Sequence, residues 1–147
     1  MANAFDVAAF IVSNKQPITH MKLQKLVYYS QAWSLVWEEE APLFTERIEA
    51  WVNGPVVPVL FSRFQGKFRI ETADIPEEAR GHILTDTEKG SILKVLDFYG
   101  EKSPQWLSDL SHMEKPWLDA RIGLAPNERG NQEITLSSMA EYYGSLT

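Results

Sequence analysis

The sequence predicts a mainly α fold: a compact helical domain packed around one long buried central helix, with a small β-ribbon or hairpin element attached. Three observations carry that expectation. Apolar residues recur at helical spacing through most of the chain. One stretch, Thr19 to Glu40, becomes apolar on nearly every side in its second half. Two short runs, Arg47 to Val52 and Lys67 to Ile70, have strand character. A chain of 147 residues with 44% hydrophobic and 23% charged residues is large enough for its own core, and nothing in it marks a linker, so residues 1–147 are read as one domain.

The central helix is the best-defined element. At about 100° per residue, Leu23, Leu26, Val27, Ser30, Trp33, Ser34 and Trp37 fall on one side. Tyr28, Ala32, Leu35 and Val36 fall on the others, and a helix that is hydrophobic all round is a buried one. Thr19 is the expected N-cap after the breaker Pro17, and His20, Lys22, Gln24 and Lys25 gather in the first two turns. The charges oppose the helix dipole: Lys22 and Lys25 sit near its positive end and Glu38, Glu39 and Glu40 at its negative end. Each such placement costs a few tenths to about 1 kcal/mol when exposed. Two readings remain open. Either neighbours and solvent neutralise the field, or an exposed Lys22/Gln24/Lys25 end meets an acidic surface on a partner.

Before that helix, Asn3 caps a first helix, Ala4 to Asn14, whose Phe5, Ala8, Ala9 and Val12 face the central one. The short link makes the pair resemble a helix-turn-helix unit, but the second helix is too apolar to read bases. After Glu40, Ala41-Pro42 turns the chain into the strand Arg47 to Val52, with Asn53-Gly54-Pro55 as the following turn. Pro58 opens the helix VLFSRF, Gly66 stops it, and Lys67 to Ile70 is expected to pair with the first strand. Glu71 to Leu84 is a polar connection, read as mobile, with one helical turn at PEEAR. Thr85 and Glu88 form a capping box for TEKGSILKVLDFYG, and Ser103-Pro104 starts PQWLSDLSH, with Trp106, Leu107 and Leu110 spaced for burial. PWLDARI is a short helix, LAPNERGNQE a loop, and Thr135 to Tyr143 a last helix.

Composition excludes several function classes. A net charge of −6 disfavours general nucleic-acid binding, which relies on neutralising phosphates. No cysteine is present, so thiolate metal sites and disulfides are excluded. The apolar run VAAFIV has Asp6 beside it and lacks a basic flank, and no stretch reaches membrane-span length, so a cytoplasmic protein with no membrane partner is expected. There is no GxSxG elbow, P-loop or GxGxxG. Of His20, His82 and His112, only His112 has a candidate co-ligand nearby, Glu114, and two ligands make a poor metal site. No catalytic residue, cofactor or metal is therefore expected, and the chain reads as a binding protein and not an enzyme. Arg63, Lys67 and Arg69, interleaved with Phe64 and Phe68, read as a basic ribbon with its aromatics buried or as a phosphate- and base-stacking strip. The Asn53 to Pro58 loop is rigid and apolar, suited equally to a contact platform or to a plug seated on Trp33 or Trp37.

KLQKLVYYSQAW followed by IEAWVNGPVVPVLFSRF resembles the core signature of the Panacea domain, the family of SocA-like antitoxins and prophage-associated GepA-type proteins. LSDLSHMEKPWLDA resembles its second block, usually Leu-Ser-x-Leu-Thr-His-x-Glu-x-Pro-Trp, with Ser111 where Thr is common, and ITLSSMAEYY fits its closing helix. The resemblance implies an antitoxin that neutralises a cognate protein toxin encoded next to it by direct protein–protein binding, with delivery of the toxin to a protease as a second mode. It implies no catalytic residue. The partner contact is expected at the exposed end of the central helix and the Gly-Pro loop, through Lys22, Gln24, Lys25, Tyr28, Tyr29, Trp51, Asn53, Gly54, Pro55, Val56, Val57 and Pro58. The alternative is a prophage-associated DNA-binding transcriptional regulator, which the acidic balance disfavours.

Overall fold

The computed structural model describes residues 2–79 and 83–147. Asn3 and Asp6 cap each other's backbone at 2.9 Å in both directions and start α1 (Ala4–Lys15), longer by one residue than its periodicity suggests. The two-residue strand β1 (Ile18–Thr19) follows, and the Thr19 hydroxyl then accepts the Lys22 amide at 3.1 Å to open α2 (His20–Trp37). The central helix stops three residues short of the expected end. Glu38 is its cap, and Glu39 and Glu40 take φ of 52° and 67°, so the acidic run forms the turn beyond the helix and not its last turn. Gln31 holds the returning chain, accepting the Leu43 and Phe44 amides and donating to the Phe44 carbonyl.

The β element differs from the expected pairing. β2 (Ile48–Trp51) turns through Val52-Asn53 into β3 (Gly54–Val56), with Trp51 opposite Gly54, so Gly54 and Pro55 belong to a strand and not to the turn. β4 (Arg69–Ile70) does not join this hairpin; it pairs antiparallel with β1, Ile18 opposite Ile70. The other edge of β2 is taken by β5 (Glu133–Ile134), giving the order β3-β2-β5. A two-residue turn closes a hairpin locally, and that local pairing outcompetes the more distant 67–70 run.

The helix α3 (Pro58–Phe64) begins on its proline. Two short 3₁₀ turns, Thr72–Asp74 and Glu77–Ala79, lie in the polar connection, whose residues 80–82, with Arg80 of PEEAR and His82, are outside the described residues. The Thr85/Glu88 box caps α4 (Asp86–Tyr99), and Ser103 caps α5 (Pro104–His112). Then come α6 (Lys115–Ala120) and α7 (Leu136–Gly144). α1, α4, α5, α7 and β3 all pack on α2, which leaves Leu23 through Ala32 buried without a break. Each aliphatic residue so buried is worth about 1.5–3 kcal/mol of transfer free energy. Two expectations about exposure are corrected. Trp106 is exposed, its ring covered by the Lys102 ammonium and not by the core; Phe64 is buried while Phe68 points to solvent.

Candidate functional site

A pocket of about 630 Å³ opens between the start of α2 and the hairpin. His20, Met21, Gln24 and Lys25 form the α2 wall; Trp51, Val52, Asn53 and Val56 form the hairpin wall; Phe61 of α3 and Arg129 to Asn131 before β5 complete it. Phe61 is the hinge of an aromatic side, edge-on to Trp51 at 4.9 Å and stacked on the His20 ring at 5.4 Å. The chain carries a net charge of −6, yet the charged residues on this lining are all basic. Outside the lining, the Glu49 carboxylate accepts from Trp51 Nε1 at 2.8 Å and pairs with Arg47 Nε at 3.0 Å.

Lys25 is the unusual group. It is 1% exposed, its Nζ donates to the Pro55 carbonyl at 3.2 Å, and among the described residues no carboxylate pairs with it. Burial pushes its pKa down to about 8. Gly54 makes room for it: φ is +113°, and a Cβ there would lie 2.8 Å from Lys25 Cε and 3.1 Å from Ser111 Oγ, so the glycine is required both by backbone conformation and by space. Beside it, Gln24 Oε1 accepts the Val57 amide at 2.9 Å, which fixes the side-chain amide so that Nε2 faces His20 Nε2 at 3.1 Å. An amide nitrogen only donates, so this imidazole nitrogen accepts and the ring proton resides on Nδ1. Burial, and then the Lys25 charge, hold the His20 pKa below its ordinary value, in keeping with that neutral ring.

The hairpin is held from behind by a ladder of side chains. Four consecutive carbonyls, those of Ala50, Trp51, Val52 and Asn53, accept in turn from Arg121 Nη1 at 2.9 Å, Trp117 Nε1 at 2.8 Å, His112 Nε2 at 2.7 Å and Ser108 Oγ at 3.1 Å. Side chains of α5, α6 and the C-cap of α6 thus clamp the hairpin from this side. The His112 ring is packed against Trp117 at 4.3 Å, and Glu114 faces elsewhere, so the two do not converge as ligands. Glu114 Oε1 accepts from Tyr29 and Tyr143 hydroxyls, both at 2.7 Å, and Tyr28 donates to Tyr143 at 3.0 Å. Burial raises the Glu114 pKa, which the two tyrosine hydrogen bonds partly offset.

Of the residues the sequence points to for partner contact, Gln24, Lys25, Trp51, Asn53 and Val56 meet in the pocket. Tyr28 and Tyr29 are core residues of the Glu114 network. Gly54, Pro55 and Val57 are buried too, while Pro58 is only partly covered at the start of α3. Lys22 lies on a different groove with Lys15, Arg69 and Glu101. The expectation of an exposed lysine end on α2 is therefore corrected for Lys25, and the reading of the Gly-Pro segment as a plug on Trp33 or Trp37 is replaced by one seated on Gln24 and Lys25. His20, Met21, Val52, Phe61 and Arg129 to Asn131 were not singled out by sequence. Only the His20/Gln24 spacing of one helical turn hinted at any of them.

Residues 23–118 match the family described as Antitoxin SocA-like, Panacea domain. The chain belongs to this family. No curated protein and no solved structure matches the chain. The matched part of the Panacea domain runs from the first turns of α2 to α6, and it contains Lys25, Gln24 and Gly54 together with three of the four ladder donors, Ser108, His112 and Trp117. Within the matched residues, Gln24 and Lys25 thus fix the hairpin on the central helix, and Ser108, His112 and Trp117 fix it on α5 and α6.

Proposed function

We propose that the protein is a non-enzymatic antitoxin that neutralises a protein toxin encoded beside it by binding it directly, within the cytoplasm. The observation that supports this reading is the antitoxin-family match over the central helix, the hairpin and the α5–α6 region. Those elements hold a rigid rim on which Met21, Trp51 and Asn53 are at least partly exposed beside Arg129 and Asn131. A clamped aromatic at the edge of a pocket is the type of residue that anchors protein interfaces. Delivery of the bound toxin to a protease is compatible with the same contact, since an adaptor must first hold its cargo.

The test is co-expression with the adjacent open reading frame. Its product alone is expected to arrest growth, and this protein to restore growth and co-purify with it. Trp51→Ala is expected to weaken the complex at least about tenfold, as loss of an interface anchor does. A harmless neighbour, or a toxic one that this protein neither rescues nor binds, overturns the reading. Toxin turnover that slows when host proteases are deleted, in cells containing both proteins, supports the adaptor mode.

A further inference from the structure

We infer that the pocket between α2 and the hairpin is a binding site for a single carboxylate carried on an apolar or aromatic body, with Lys25 as its counter-ion. This goes beyond toxin neutralisation and does not depend on which protein is bound.

A buried ammonium without an acidic partner is costly. Lys25 Nζ makes one hydrogen bond, to the Pro55 carbonyl, and has two further protons to donate. Gly54 leaves the space its stem occupies. Were this lysine only a clasp for the hairpin, a neutral side chain would serve, as Gln24 does one position away by accepting the Val57 amide. Among the described residues the lining carries no acid to neutralise it. The first turn of α2, the positive end of an 18-residue helix, forms one wall and adds to the same field.

The volume, about 630 Å³, is in the range of small-ligand sites and well above what one carboxylate fills. Trp51, Phe61, Met21 and Val56 supply flat and aliphatic surface for the remainder. The charge balance points to a monoanion: one deeply buried cation, a neutral His20, and Arg129 exposed at the mouth. A phosphate dianion would require more fixed donors than this lining holds. A carboxylate of this kind comes from a protein C-terminus with an apolar last residue or from a free aryl-alkanoic acid.

Isothermal titration of the full chain separates these. The probes are N-acetyl-Leu-Phe with a free carboxylate, the same peptide as its amide, 3-phenylpropionate, and inorganic phosphate. Binding of a free carboxylate is expected, with the amide at least about tenfold weaker, a difference of about 1.4 kcal/mol. Tighter binding of the peptide acid identifies a chain end as the natural ligand, and tighter binding of 3-phenylpropionate a free acid. Lys25→Met is expected to abolish the preference for the acid over the amide. Because that variant alters a buried site, Met21→Glu at the rim serves as the second: it is expected to weaken the acid about tenfold while leaving the melting temperature unchanged. Equal binding of acid and amide, phosphate binding as tight as either acid, or no heat from any carboxylate at millimolar concentration overturns the inference.

Discussion

At the residue scale, Lys25 is where charge, burial and fold meet. Its folded pKa of about 8 lies below the ordinary 10.5, so between those values the unfolded chain holds the proton that the folded chain has released. Stability attributable to this residue therefore rises as pH climbs from about 8 towards 10.5, and below 8 the full cost of burying the ammonium is present. The stability difference between the wild type and Lys25→Met should shift in favour of the wild type by about 2 kcal/mol from pH 7.5 to 9.5. Urea unfolding at the two pH values measures it. A difference that does not change with pH would show that the ammonium is already compensated in the fold.

At the element scale, the hairpin is short and would not persist alone. β2 is fastened by β5 on one edge, and the ladder of Arg121, Trp117, His112 and Ser108 holds the carbonyls at its end and in the turn after it. Arg121 does most, because its other nitrogen, Nη2, also donates to the Ala125 and Glu128 carbonyls and so ties the hairpin to the loop leading into β5. Arg121→Met should cost about 2–4 kcal/mol, since it leaves buried acceptors without donors. Amide exchange is expected to speed up in Ile48–Trp51 and in residues 125–134 while α4 stays protected. Uniform loss of protection throughout the chain would instead make the ladder part of the global core.

At the scale of the whole molecule, Glu114 joins three regions. It caps α6, and its carboxylate receives Tyr29 of α2 and Tyr143 of α7. Tyr29 is in turn stacked on Tyr99 of α4 at 4.2 Å. Its folded pKa is raised above the ordinary 4.5, so its contribution to stability is fully present below that value and is lost as pH rises through the folded pKa. Glu114→Gln retains an acceptor for both tyrosines and should remove this fall in stability on going from pH 4.5 to neutrality. Glu114→Ala should lose about 3 kcal/mol at the acid end of that interval and less toward neutrality, because it removes the same titrating group. Thermal melts across the range test both. An unchanged pH profile in the glutamine variant would assign the dependence to another group.

Most helices were legible from local chemistry, because caps such as Asn3, Thr19, Thr85 and Ser103 and the proline starts at Pro58 and Pro104 act within one turn of the residues they organise. The all-round apolar pattern from Tyr28 onward was likewise enough to place α2 at the centre. The strand partners and the pocket were not legible, and the reason is distance along the chain. β5 meets β2 across more than 80 residues, and Lys25 reads as a surface lysine until the Pro55 carbonyl, thirty residues on, is seen to accept its hydrogen bond. Periodicity reports which face of an element is apolar. Whether a lysine at the edge of that face reaches water or a carbonyl is decided by what tertiary packing brings to it.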